Sequence, residues 1–309
     1  MAVRVAEEWL GICAGCEVSI LDIGDELLDL LPSLEFVHMP VLTDHKYFGQ
    51  KGEKHNGHGF EIPPADVGII SGCIRNEENK AIALEMRKKC KTLISLGSCA
   101  AFGGIPALAN LSSREDLLEK VFRGSKSTPA SETPTEDIPA LTDRVYAVSE
   151  VAKPDMVIPG CPPDSGMIAA ALLSLLEGKP FELPAKSVCD ECPTQREKKS
   201  GSSLKRPLEP MEQKPLADTR CFMEQGFLCL GPVTRAGCAG SRPGPRCVLS
   251  YMPCRGCFGP VKEGSNPMVD MMTALSSIGL DAKDIPDRAA TMNRYTGGQG
   301  RLRPLPARK

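Results

Sequence analysis

Several absences narrow this sequence before anything present in it does. No apolar stretch approaches membrane-crossing length: the longest, Ile168 to Leu176, falls far short of the roughly 20 residues a bilayer requires, so no span is expected. Basic residues are scattered and the net charge is only −2, so no stripe neutralises a phosphate backbone and nucleic acid is not an expected partner. The first residues lack the charged region, apolar core and cleavage site of an export signal, and Val3 to Leu10 reads at once as a strand. There is no GxGxxG turn for a dinucleotide and no internal repeat. These absences leave a cytoplasmic chain of 309 residues, long enough for two domains, whose 41% hydrophobic content is ordinary for a buried core.

Cysteine is what the chain has in abundance. There are 14, and eight of them lie between Cys189 and Cys257, with Cys-x-x-Cys pairs at both ends (Cys189/Cys192 and Cys254/Cys257). In a reducing cytoplasm that density points to metal rather than disulfides.

From residue 1 to 185 short β-branched or apolar runs alternate with helical patterns, which marks an α/β domain with a parallel sheet. The expected strands are Val3 to Leu10, Leu34 to Met39, Asp66 to Ser71, Thr92 to Leu96 and Met156 to Ile158. Ile20, Ile23, Leu27 and Leu31 recur at helical spacing and predict one amphipathic helix between the first two strands. Ile168, Leu172, Leu175 and Leu176 predict another from Ser165, stopped by Gly178 and Pro180. In open sheets of this kind ligands sit beyond the carboxyl ends of the strands. Cys13, Cys16, Cys73, Cys99 and Cys161 each follow a strand, so five thiols are expected on one rim. From 186 to 309 periodicity fades, apart from a short helix through Met268, Met272 and Leu275, and large apolar residues are few. A mostly irregular cysteine-rich domain held together by its cofactors is expected there. Arg123 to Asp143 and Glu197 to Asp218 read as exposed loops, and residues 301 to 308 as a tail that is solvated or docked on a partner.

Zinc and iron–sulfur clusters both take four thiolates. A zinc ribbon needs two neighbouring knuckles, whereas here the two Cys-x-x-Cys pairs stand at opposite ends of the run. Chain order groups Cys189, Cys192, Cys221 and Cys229 for one centre and Cys238, Cys247, Cys254 and Cys257 for another, with interleaved pairings equally open to spacing. Nearby glycines let backbone N–H groups approach sulfur, and prolines stiffen the ligand loops, which favours iron–sulfur clusters.

Cys13-Ala-Gly-Cys16, Gly97-Ser-Cys99-Ala-Ala-Phe-Gly-Gly104, Pro159-Gly-Cys161-Pro-Pro163 and Cys229-Leu-Gly-Pro-Val-Thr-Arg-Ala-Gly-Cys238 resemble the small subunit of nickel–iron hydrogenases from residue 1 to about 260. Within that family the chain is most similar to the methyl-viologen-reducing type of methanogens, which is linked to heterodisulfide reductase. The resemblance implies a flavodoxin-like domain followed by a cluster domain, and three 4Fe-4S clusters. Cys13, Cys16, Cys99 and Cys161 would hold the proximal one, and Cys238, Cys247, Cys254 and Cys257 the medial one. The distal ligands would be Cys189, Cys192, Cys221 and Cys229. Many relatives have histidine where Cys189 stands, and many exported ones have proline in the medial set, where this chain offers Cys247. A medial 4Fe-4S rather than 3Fe-4S cluster follows, with a lower potential.

The role the resemblance implies is an electron relay from dihydrogen oxidation at a nickel–iron centre in a separate large subunit. The electrons would pass to a partner such as an iron–sulfur adaptor subunit and heterodisulfide reductase. The alternatives are the small subunit of a deazaflavin-reducing or NADP-linked hydrogenase and a stand-alone iron–sulfur carrier. The deazaflavin type usually carries a C-x2-C-x2-C-x3-C-P run, which is absent here. Cys73 is expected as a rim thiol and Cys90 as a small buried apolar residue. Glu17 is expected as an exposed helix-start carboxylate rather than a proton carrier, and His45, His55 and His58 as a solvated turn rather than a metal site.

Overall fold

The computed structural model describes residues 2–45, 61–197, 199–200, 203–205 and 214–304. His55, His58 and part of the loop expected over Glu197 to Asp218 lie outside them. Two units emerge, Met1–Phe181 together with Gly297–Lys309, and Glu182–Thr296.

The first unit is built on a five-stranded parallel sheet of β1 (Val3–Trp9), β2 (Leu34–His38), β3 (Ala65–Ser71), β5 (Cys90–Leu96) and β7 (Met156–Ile158), in the order β2-β1-β3-β5-β7. Counted among themselves, those strands run 2-1-3-4-5, the flavodoxin-like order. Each expected strand is present to within two residues. Both faces of the sheet are covered, by cores centred on Ile70, Met86 and Leu93 on one side and on Val5, Ile94 and Ile168 on the other. A short antiparallel pair, β4 (Ile74–Asn76) with β6 (Leu141–Tyr146), lies outside this sheet.

The helix expected between β1 and β2 is two helices, α1 (Gly15–Leu21) and α2 (Asp25–Leu30), separated at Gly24, whose φ is 73°. The break shifts the helical phase, so Leu30 is buried in place of Leu31, which is exposed. Between β4 and β5, α3 (Glu77–Lys89) starts where the Asn76 side chain accepts the Asn79 N–H and has Glu77 and Glu78 in its first turn and Arg87, Lys88 and Lys89 in its last. Both ends thus suit the helix dipole. After β5 come α4 (Gly97–Phe102) and α5 (Arg114–Phe122), then an exposed stretch up to β6. The last helix of the unit, α6 (Ser165–Leu176), begins at the Asp164 cap and buries Ile168 and Leu172 on the expected face.

The second unit has little regular structure. Besides 3-10 turns it contains α7 (Arg246–Leu249), α8 (Pro267–Ser277) and α9 (Arg288–Met292), with isolated bridges at Ser187–Arg235, Gln195–Arg220 and Thr234–Pro260. The segment from Gly297, read from sequence as part of a 186–309 domain, groups instead with the first unit, because its backbone hydrogen-bonds there: the Gly298 N–H donates to Phe102 O at 2.8 Å.

Candidate metal centres

At the carboxyl end of the sheet the structure gathers Cys13, Cys16, Cys99 and Cys161 from three separate strand-to-helix turns. Cys13 and Cys16 flank the β1–α1 turn, which is closed by Ala14 in the left-handed region (φ 67°). Cys99 rides on α4 directly after β5, and Cys161 follows β7. The Ser98 N–H donates to Gly160 O at 2.8 Å and the Gly160 N–H to Ser98 Oγ at 3.2 Å, so the Cys99 and Cys161 turns are pinned to each other.

Burial pushes two of these thiols, Cys16 and Cys99, up. Cys16 is raised far above an ordinary thiol, by burial first and then by Glu17, Cys99, Cys161 and Cys13. Cys99 is pushed up to about 12, by burial first and then by Cys73, Cys161 and Cys13. Thiols whose ionisation is disfavoured in this way, as at Cys16 and Cys99, become ligands when a cationic core supplies the missing positive charge.

The backbone leaves space around the sulfurs. Gly97 (φ 83°) has no Cβ where one would collide with Cys16 Sγ, and a Cβ on Gly104 (φ 57°) would stand 2.5 Å from Cys99 Sγ. Such cradles fit a cluster held by Cys13, Cys16, Cys99 and Cys161. Among the described residues no three His, Cys, Asp or Glu side chains stand close enough together to hold a metal ion. None of the fourteen cysteines is joined in a disulfide.

Cys73 completes the rim as the fifth thiol. It is buried, packs against Cys99, and exchanges backbone hydrogen bonds with Gly11 at 2.9 and 3.0 Å. Cys90 opens β5 as a buried residue against Gly68. His45 Nδ1 accepts the Met39 N–H at 2.9 Å, a role that closes the local turn.

Sequence reasoning missed the acidic floor beneath the rim. Glu17, expected in solvent, is 2% exposed because α1 lies against the sheet and turns it inward, where it accepts a hydrogen bond from Ser71 Oγ. Glu7 and Glu8 of β1 are fully buried, Glu8 against His38 Nε2 at 2.5 Å. Burial, then the charges of Glu17 and Glu8, raises Glu7 to about 9. The available signal was an acidic pair inside a strand of a parallel sheet, whose two faces are both covered.

In the second unit Cys189 sits on a 3-10 turn, Val188–Asp190. Its thiol is pushed up to about 12 by burial, with Arg196 opposing and Cys221 and Cys192 adding to the rise. Cys229, pushed to about 12 chiefly by burial, feels Cys189 and Cys221. Those four therefore stand together. Cys229 Sγ also accepts the Cys254 N–H at 3.3 Å, the kind of contact that tunes a bound cluster. Cys254 is raised by burial and by Cys229 and Cys257, while Cys238 is pushed to about 11 by burial and feels Cys247 on α7. The remaining four are thus linked as two pairs. On Gly231 a Cβ would lie 3.1 Å from Cys189 Sγ and 3.5 Å from Cys229 Sγ, a cradle of the same kind as at the rim. Among the described residues no helix is long and apolar enough to cross a membrane.

Known proteins resemble this chain in sequence and fold. Residues 13–175 match the family model of the NADH ubiquinone oxidoreductase 20 Kd subunit. The vhu F420-non-reducing hydrogenase of Methanocaldococcus jannaschii contains a polypeptide 40% identical over 297 residues, covering 96% of this chain and 95% of that one. A polypeptide of the F420-non-reducing hydrogenase of Methanothermobacter marburgensis is 37% identical, covering 89% of this chain and 84% of that one. Among solved structures, one chain of an NAD+-reducing [NiFe]-hydrogenase in its H2-reduced state superposes with a TM-score of 0.53 at 31% identity, covering 60% of this chain and 96% of that one.

Proposed function

Because this chain belongs to the family of the NADH ubiquinone oxidoreductase 20 Kd subunit, and within it to the small subunits of nickel–iron hydrogenases of the F420-non-reducing type, we propose that it is a three-cluster electron relay. The proximal 4Fe-4S cluster takes Cys13, Cys16, Cys99 and Cys161, the medial Cys238, Cys247, Cys254 and Cys257, and the distal Cys189, Cys192, Cys221 and Cys229. When bound, such clusters supply one-electron redox chemistry, dividing the two electrons of dihydrogen into single steps.

The chain's own residues do the rest. They hold thiols at fixed places, bury Cys16, Cys229, Cys238 and Cys254, and aim the Cys254 N–H at Cys229 Sγ. The nickel–iron site belongs to the large subunit. Trp9 on β1 and Val18 and Leu21 on α1 leave apolar side chains in solvent on the elements that flank Cys13 and Cys16, which suits cover by that subunit. At the outer end we place an iron–sulfur adaptor and heterodisulfide reductase, in the cytoplasm.

The observation that carries this reading is the set of four rim thiols brought from separate turns around glycine cradles. Metal analysis with low-temperature EPR on the purified complex tests it. About twelve irons per chain and three reducible signals are expected, whereas stoichiometric zinc without iron contradicts it. Mass spectrometry of co-purifying proteins tests the partners.

A further inference from the structure

Residues 182–296 interrupt the first unit, and the chain returns to it at Gly297. The returning segment lands on the end of α4, the helix that carries Cys99. A helix end leaves its last carbonyls without intrahelical partners, and here the returning chain supplies donors. The Gly298 N–H donates to Phe102 O at 2.8 Å, and Gln299 Nε2 donates to Ala101 O at 3.4 Å and to Ser149 Oγ at 3.1 Å. The Gln299 N–H donates to Glu150 Oε2 at 2.9 Å. Glu150 is itself fixed, accepting the Ala147 N–H at 2.8 Å and pairing with Arg144 at 2.9 Å.

The contact continues to the sulfur. A Cβ on Gly298 would stand 2.7 Å from Phe102 O, and one on Gly103 would meet Gly298 N at 3.0 Å. On the next residue, Gly104, a Cβ would stand 2.5 Å from Cys99 Sγ. Strap, glycine turn and thiol are therefore stacked without spare room. At the far end of the strap Leu302 is buried, 2% exposed, so the segment is anchored at both ends.

We propose that residues 297–302 form a strap that positions the Cys99 turn of the proximal site, with Gln299 and Glu150 as its positioning residues. One of the four proximal thiols thus depends on a segment that the chain delivers only after residues 182–296, and completion of the proximal site waits on synthesis of the second unit. The inference rests on the reading of Cys99 as a cluster ligand.

The test uses the full chain in complex with its large subunit, purified without oxygen, as wild type, Gly298→Ala and Gln299→Ala. Iron content, the EPR signals of the reduced protein and far-UV circular dichroism are compared. Wild type with about twelve irons and three signals supports the underlying ligand reading; zinc in place of iron overturns that reading and this inference with it. Gly298→Ala is expected to lose about four of those twelve irons, all from one signal, with circular dichroism unchanged. Gln299→Ala, which removes only an exposed side chain, is expected to keep its iron but to shift the potential or line shape of that signal alone. Proximal signals identical to wild type in both variants, or losses spread evenly over the three clusters, overturn the strap. If Gly298→Ala does not accumulate, Gln299→Ala decides the matter by the same signal.

Discussion

Gly97 is the residue at which one methyl group decides the rim. Its φ of 83° suits glycine, and a Cβ there would run into Cys16 Sγ. Left-handed backbone alone costs an L-residue about 1–2 kcal/mol. Gly97→Ala is therefore expected to assemble without its proximal cluster, read as a missing EPR signal and a deficit of about four irons. Glu7 carries a different constraint. Its value is raised from 4.5 to about 9, by burial first and then by Glu17 and Glu8. The fold accepts its neutral form, so that contribution is whole below about 4.5 and is lost as pH climbs toward about 9. The loss by neutral pH is on the order of a few kcal/mol. Glu7→Gln is a neutral isostere, so its urea midpoint is expected to fall less than that of wild type between about pH 5 and about pH 8. Equal slopes would contradict this. At this scale the cysteines were legible because thiols at such density need a partner, whereas the burial of Glu17 was not, since the residue beside Cys16 looks the same whichever way α1 rolls.

Helices and strands followed local pattern wherever nothing interrupted the period. α6 kept its expected face and its stop, because Asp164 caps one end and Gly178 adopts φ 65° just beyond the other. Ile168, 2% exposed within the core beneath that helix, is expected to cost about 2–5 kcal/mol when cut to alanine, measured by chemical denaturation. The α1–α2 break escaped the pattern, as apolar spacing continued through Gly24 while the backbone did not. β4 and β6 escaped it too, being short strands paired across a long separation in sequence, which no local period records.

Over the whole molecule the two units differ in what holds them. The first has a sheet covered on both faces, and the second has short helices and isolated bridges around buried side chains such as Phe222, Phe227, Phe258, Met271 and Leu275. With so little regular structure, the second unit is expected to draw a large share of its order from the proposed clusters. Stripping iron with a chelator under reducing conditions is expected to expose residues 182–296 to limited proteolysis first, while the first unit keeps its circular dichroism. Simultaneous loss of both would show that the first unit also depends on metal.

The sequence by itself determined the cysteine inventory, the strand order's raw material and the family, because thiol count, glycine placement and alternating apolar runs are local properties of the chain. Tertiary structure alone decided which carboxylates are buried beneath the rim and where the segment after Gly297 docks. Burial and close packing are set by what folds over a residue, and for Phe102 at the end of α4 the docking segment lies some two hundred positions further along the chain.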